Sequence, residues 1–442
     1  MKNKDILLIS LVLMITMLTS CVLNSNTDLN EQTTPVPTQT EQPVLSSTPS
    51  PTPTIPVETP SPTPPPELSR PEYIVIKGER YHIYKGEIAL IDSDLNDEDI
   101  EPLKYMNYPI SLNLSSNNIS DLTPLTDLIS LKSLSLHGNQ ITDLTPLAGL
   151  TNLQSLYLHG NQITDLTPLA GLISLQSLYL HGNQIIDLTP LAGLTNLQSL
   201  SLYGNQITEL TPLAGLTNLR KLDLDKNNIN NIAPLSELLQ LNYLYISENK
   251  VSDLSPIAHL TRLIELDLSK NQIVNISLSL EMPWLTKLTL SNNQLNDLTS
   301  LTDLIGLENL SLSDNNITDL RPIANLVNLR ALFLERNQIS DITPLTNLTK
   351  LIIMTLDENQ ITDLPVFVNM LYMNYLYLEK NQINDITALA SLENLIVLDI
   401  ADNYITDVTP LAELEWLCNL RLCGNLITDL SPVEHFGCYH PG

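Results

Sequence analysis

Basic residues are scarce in this chain of 442 residues: 21 Lys and Arg stand against 49 Asp and Glu, a formal net charge of -28. Such a surface repels polyanions, so nucleic acid is excluded as a natural partner and an anionic lipid surface is disfavoured. Glycine (14), phenylalanine (3) and tryptophan (2) are also few. A bias this strong across 442 residues points to one small unit copied many times rather than to several ordinary domains. There are 4 cysteines, with Cys21 alone near the start and Cys418, Cys423 and Cys438 crowded at the end, so a disulfide framework is excluded. Sequence motifs of catalysis are missing too. There is no His-Glu-x-x-His pair, no Gly-x-Ser-x-Gly elbow, no phosphate-binding glycine loop and no Cys-x-x-Cys, so no enzyme, cofactor or resident metal is expected.

What is present begins with an address. Lys2 and Lys4 precede an apolar run from Ile6 to Leu18 and then small residues, the layout of a secretory signal over residues 1–20. The run is too short for a comfortable membrane span. It ends Leu18-Thr19-Ser20-Cys21, which resembles the bacterial lipobox; the resemblance implies diacylglycerol on the Cys21 thiol and cleavage just ahead of it. An ordinary secretory cleavage nearby is the alternative. Residues 21–70 are dense in Thr, Ser and Pro, as in Thr48-Pro49-Ser50-Pro51-Thr52-Pro53, and cannot bury a core. They read as a stalk, partly polyproline II, with a reach of up to about 140 Å at ~3.1 Å per residue.

From Asn117 to Asn425 an asparagine recurs every 22 residues, fifteen times without a slip. Each sits in one frame, as in Leu131-Lys132-Ser133-Leu134-Ser135-Leu136-His137-Gly138-Asn139-Gln140-Ile141. The frame resembles 22-residue leucine-rich repeats of the internalin type, with Asp-Leu-Thr-Pro-Leu following the Asn block. The resemblance covers residues 110–438 and implies a horseshoe or arc with a concave parallel sheet.

The residues lead to the same fold by themselves. Leu-x-Leu is a short strand with both leucines inward, and coils ~4.8 Å apart pair such strands in parallel. The buried Asn is expected to satisfy backbone groups of its own coil and the next. Thr145-Pro146 offers a hydroxyl cap and a proline opening a convex 3₁₀ or α turn, with Leu147 and Leu150 inward. Proline is missing at Leu278, Ser300, Val366 and Ala388, where looser turns are expected. The fold class is therefore an α/β solenoid with a concave parallel β-sheet and convex 3₁₀ or short helical turns.

At the ends, residues 71–109 read as a β-hairpin and a degenerate capping repeat in which Leu95 replaces the ladder Asn while Pro102 and Leu103 keep the phase. This departs from the helical cap of internalins. The array of 15 coils, residues 110–442, is expected to close on its last coil, with Phe436 in the core position that Leu150 fills and the chain stopping as a further strand would begin. One disulfide among the three late cysteines and three thiols are both compatible with the spacing.

Three patterns invite chemistry. Asp follows the ladder Asn by four positions in twelve coils (Asp121, Asp143, Asp165, Asp187, Asp253, Asp297, Asp319, Asp341, Asp363, Asp385, Asp407, Asp429). These are either a Ca²⁺-collecting column or acceptors for backbone N–H groups in the turn. His137, His159 and His181 form a column open to Zn²⁺ ligation, or to explanation by duplication of near-identical coils.

The third pattern is a set of outward positions on the concave face: Tyr157, Tyr179, Tyr203, Tyr243, Tyr245, Phe333, Tyr375 and Tyr377, with Lys221, Asp223, Asp225, Asp267, Glu335, Arg336 and Asp399 among them. Tyr and Phe bury much area at low entropic cost and so favour interfaces. The ligand-binding candidates are the aromatics together with Asp223 and Asp267; tolerated surface residues on a duplicated array are the plainer account. The expected protein is a monomeric, lipid-anchored, cell-surface binding or adhesion protein for a protein, peptide or polysaccharide. The alternative is an envelope scaffold for other exported proteins.

Overall fold

The computed structural model describes residues 71–276, 282–365, 367, 369–436 and 439–440. The signal segment, Cys21, the stalk, Leu278, Val366 and Cys438 lie outside them.

The folded part opens with β1 (Tyr73–Ile76) and β2 (Glu79–His82), an antiparallel pair in which Ile74 and Ile76 face inward. Lys77 and Gly78 both have positive φ, 47° and 84°, as a two-residue turn that follows strand twist requires. The next strand, β3 (Glu87–Ala89), is already part of the parallel ladder and pairs with Ser111–Asn113. The sequence identifies a degenerate repeat within residues 71–109 but not this strand. Its buried pair Ile88 and Leu90 lies 24 residues before Leu112 and Leu114 (112 − 88), so a 22-residue search passes over it. The extra length falls around Asp92 and Asp94, both in left-handed backbone. A four-residue helix, α1 (Asp97–Ile100), follows, held by a capping box between Asn96 and Asp99, and then a 3₁₀ segment over Glu101–Tyr105.

From there each coil adds one three-residue strand, paired in parallel with the strands before and after it and without a register slip as far as Asn419–Arg421. The ladder is open: among the described residues Glu87–Ala89 and Tyr439–His440, its two ends, each pair on one side only. Tyr439–His440 corrects the expectation that the chain ends before another strand. Leu420 pairs with Tyr439, 19 residues on (439 − 420), so the last coil is shortened.

Inside, the leucines of the frame are removed from water. Leu134, Leu136, Leu147 and Leu150 are each 0% exposed, and their counterparts repeat this through the array. Full burial of a Leu is worth ~1.5–3 kcal/mol, but no coil covers its own leucines, so the gain is realised only between neighbours. Phe436, buried, takes the position of Leu150 in the shortened last coil.

The ladder asparagines work as the sequence suggests. Asn139 Nδ2 donates to the carbonyls of Leu114 and Leu136 at 3.0 Å, one in each coil, and its Oδ1 accepts the N–H of Ile119 at 3.0 Å. Asn117 does the same for the irregular first coil, accepting from both Ser93 and Leu95. A second, exposed asparagine series went unread: Asn152, Asn196, Asn218, Asn328 and Asn394 each donate to a carbonyl of the preceding coil, Asn152 to Ile129 for example.

On the convex side a 3₁₀ turn such as Thr145–Leu147 occupies the expected place, but the threonine is not its cap. Thr145 is the first residue of the turn, and its N–H is accepted by Asp143 Oδ1 at 2.8 Å. Nor does losing proline loosen the turns that are described. Thr299–Leu301 keeps the three-residue form with Ser300 at its centre, and Thr387–Ser391, containing Ala388, is longer at five residues. In both, the aspartate two residues ahead of the turn, Asp297 or Asp385, accepts the first N–H of the turn just as it does where proline is present. No disulfide joins Cys418 to Cys423.

Candidate functional site

Three outward columns run along the concave sheet: the first and third residue of each strand, and the residue two further on. Their composition changes along the array. Over the early coils the first column is Ser111, Ser133, Ser155, Ser177 and Ser199, and no charged side chain occupies any of the three columns from Ser111 to Tyr203.

In this neutral stretch the rings stack on one another. Tyr157 and Tyr179 lie 4.9 Å apart at 4°, while His137, His159 and His181 form a continuous pile with centroids 4.1 Å apart. Burial first, and then the neighbouring imidazoles, push His159 down to about 3; burial and His137 push His181 down to about 4. His159 and His181 are therefore neutral at pH 7. Face-to-face rings hold their nitrogens in parallel planes rather than converging on a point, which is poor geometry for Zn²⁺. Ser135 Oγ and Ser201 Oγ lie 2.9 and 3.3 Å from the Nδ1 atoms of His137 and His181.

Beside this pile the rim is bare. Gly138, Gly160, Gly182 and Gly204 hold φ near +65° immediately before the ladder Asn. Later coils put Lys226, Glu248, Lys270, Asn292, Asp314, Arg336, Glu358, Lys380 and Asp402 into the same left-handed position. Several of these pair across coils: Lys270 with Glu248 at 2.7 Å, Arg336 with Asp314 at 2.5 Å, Lys380 with Glu358 at 3.5 Å. Arg336 therefore belongs to the rim and not to the concave columns where the sequence reading put it.

The later coils carry charge on the sheet itself. Asp223 accepts from Ser201 Oγ at 3.0 Å, Asp225 from the Ser247 N–H at 2.5 Å, and Asp267 from the Ser269 N–H at 2.9 Å. Burial, together with Asp223 and Asp267, pushes Asp225 up to about 8, and burial also raises Asp223 and Asp267. Lys287 pairs with Glu265 at 3.4 Å, Tyr245 donates to Glu265, and the Lys221 ammonium lies 5.7 Å from the Tyr245 ring. Farther on, Glu335, Asp357 and Glu379 follow one another in the third column. Burial, then Asp399 and both flanking glutamates, push Asp357 up to about 7 against the Glu379 N–H that it accepts. Arg421 pairs with Asp399, and with Glu379 at 3.3 Å.

Of the residues singled out from sequence, Tyr157, Tyr179, Tyr203, Tyr245, Phe333, Tyr377, Asp223 and Asp267 line the concave face half-buried, and Tyr243 is 36% exposed. Tyr375 departs from the expected exposed set: at 8% exposure it is covered by the strands on either side. Glu265, Lys287, Asp357, Glu379 and Arg421 were missed. The signal for the acids was a carboxylate two residues before the ladder Asn in three consecutive coils, Glu335, Asp357 and Glu379.

The twelve aspartates of the other series face away from this surface, at the entry to the convex side. Eleven of them, Asp121 through Asp429, accept the N–H two residues on, as Asp187 does from Thr189 at 2.8 Å. Asp363 accepts from Thr362 Oγ1 instead. With their oxygens committed to the turn, the series reads as a backbone device rather than a cation column.

The family described as leucine-rich repeats in two copies matches between residues 110 and 259 and over 261–303, 305–347 and 373–413. Among solved structures, an internalin of Listeria monocytogenes, InlF, is 36% identical over 73% of this chain and 88% of its own, with a TM-score of 0.59. A leucine-rich-repeat protein of Leptospira interrogans is 26% identical over 79% of this chain and 94% of its own, with a TM-score of 0.73. The functional domain of InlJ from Listeria monocytogenes, which includes a cysteine ladder, shares the fold at 23% identity, covering 76% of this chain and 72% of its own with a TM-score of 0.67. No curated protein matches.

Proposed function

Because the chain belongs to the leucine-rich-repeat family, in its internalin-type bacterial branch, we propose that it is a non-catalytic recognition protein of the cell surface whose concave sheet takes a protein, peptide or glycan. The carrying observation is the contrast between the two sides. Convex aspartates are spent on their own turns, whereas the concave columns present half-buried Tyr157, Tyr179, Tyr245, Phe333 and Tyr377 in open strands. Fold alone does not fix function, and it is these side chains that motivate the reading.

The protein is exported and held by a lipid on Cys21, with residues 22–70 as its stalk, and it works as a monomer. Among the described residues no helix is long and apolar enough to cross a membrane. Metabolic labelling with a fatty acid analogue tests the anchor: a Cys21→Ser variant loses the label. Recognition is tested by binding of the protein to cell-wall polysaccharides and surface proteins, beside a Tyr179→Ala/Tyr245→Ala/Tyr377→Ala variant. Loss of binding with circular dichroism unchanged supports the concave site; binding that persists in the variant removes it.

A further inference from the structure

The late coils combine two features that the early coils lack. In the first concave column Ala331, Ile353, Tyr375 and Val397 replace the serines along four consecutive strands, with Ile353 and Val397 half-buried and Ala331 and Tyr375 covered. In the third column Glu335, Asp357 and Glu379 run parallel to that strip, with Phe333, Thr355 and Tyr377 between. Apolar and acidic lines therefore run parallel, separated by one outward column, over a length set by ~4.8 Å per coil.

The acidic line is only partly neutralised from within. Arg421 reaches Asp399 and Glu379, and Lys380 lies 3.4 Å from Glu379, both at one end of the line. Glu335 accepts from Thr355 Oγ1 and Asp357 from a backbone N–H, hydrogen bonds that carry no compensating charge. The crowding shows in Asp357, whose carboxyl is pushed up to about 7. A cation arriving along this line relieves repulsion that the fold alone leaves in place, and electrostatic complementarity of this kind selects partners. An uncharged glycan donates hydrogen bonds to the carboxylates but brings no compensating charge, and a polyanion is repelled by them.

We propose that the concave surface over Ala331–Asp399 docks a cationic, amphipathic protein segment, its apolar side on Ile353 and Val397 and its Lys or Arg side chains on Glu335, Asp357 and Glu379. This rests on the concave-face reading above and narrows it to one class of partner. Phe333 and Tyr377, between the two lines, offer ring faces to the same cations.

The probe is a designed Leu/Lys amphipathic peptide, with Leu→Ser and Lys→Glu versions as controls, titrated into the full-length protein. Three proteins are compared: the native chain, Glu335→Gln/Asp357→Asn, and Asp127→Asn/Asp303→Asn, which removes the same net charge from convex positions. The native chain binds the Leu/Lys peptide and neither control peptide; the concave pair weakens binding roughly tenfold or more and flattens its salt dependence, while the convex pair changes it less than about twofold. Equal effects of the two pairs, or binding of the Leu→Ser peptide as tight as that of the parent, overturn the docking surface. So does failure of the peptide to bind. If a wall or surface component still depends on the tyrosines in that case, concave recognition survives without this partner class; if no concave variant alters any binding, both fall.

Discussion

Asn337 Oδ1 accepts the backbone N–H of Ile317 at 3.0 Å across the boundary between two coils. The same amide donates at 3.0 Å to the carbonyls of Leu312 and Leu334, so one side chain closes three backbone groups that would otherwise be buried without partners. Asn337→Ala is expected to cost roughly 3 kcal/mol or more, because each orphaned group carries about 1–3 kcal/mol. Urea denaturation measures it, and hydrogen exchange should show the loss concentrated in the adjoining coils, as nearest-neighbour coupling requires.

The convex aspartates stabilise less. Asp341 is exposed and accepts the N–H of Thr343 at 2.8 Å, which holds its carboxyl below the usual range, the Thr343 hydroxyl bond contributing first. Asp341→Ala should lower Tm by less than Asn337→Ala, and Asp341→Asn, which keeps the acceptor, by less still. The sign of the pH effect follows from the lowered value: stability from these carboxylates is present above the ordinary aspartate pKa and is lost as pH falls through the folded one. Thermal melts from pH 6 to pH 3 should therefore show Asp341→Ala converging on the parent protein.

Two concave groups titrate against each other. Asp225, raised to about 8, contributes stability at low pH that is lost as pH rises from the ordinary carboxylate range through about 8. Asp225→Asn should gain on the parent protein in Tm steadily between pH 5 and pH 8. His159, lowered to about 3, contributes stability that is present above its ordinary value of 6.5 and is lost as pH falls toward 3, so His159→Gln should gain on the parent only on the acid side. Opposite slopes in melts of the two variants across pH 4–8 check both signs.

The rim glycines are conformational. Gly160 holds φ of 65° and a Cβ there would meet Gly138 N at 3.6 Å, an ordinary contact, so Gly160→Ala is a test of backbone strain alone, worth about 1 kcal/mol. Later coils bear that strain with non-glycine residues from Lys226 to Asp402, which shows that the array tolerates it in consecutive coils.

Strand, ladder and core were legible because a 22-residue period fixes phase for every coil at once, and Leu134, Asn139 and Leu150 need only that phase. The strand Glu87–Ala89 was not, since two extra residues break the period ahead of Leu95. Thr145 was misjudged as a cap because Thr-Pro suits a helix start, while the Asx turn from Asp143 supplies the acceptor two residues earlier. The concave site was read by residue type; what type cannot convey is the burial of Tyr375, the stacking of the histidine pile, or the distinction between the rim position of Arg336 and the sheet position of Glu335, one residue apart. Those depend on how each column meets the coil beside it.

The central claim is that recognition occurs on the concave sheet, and side-chain footprinting of the protein bound to a captured surface ligand tests it most directly. Protection of Tyr157, Tyr245 and Tyr377, with Trp284 and Trp416, 65% and 52% exposed, unchanged, is the predicted result. Protection of Trp284 or Trp416 with the concave tyrosines still reactive would contradict it.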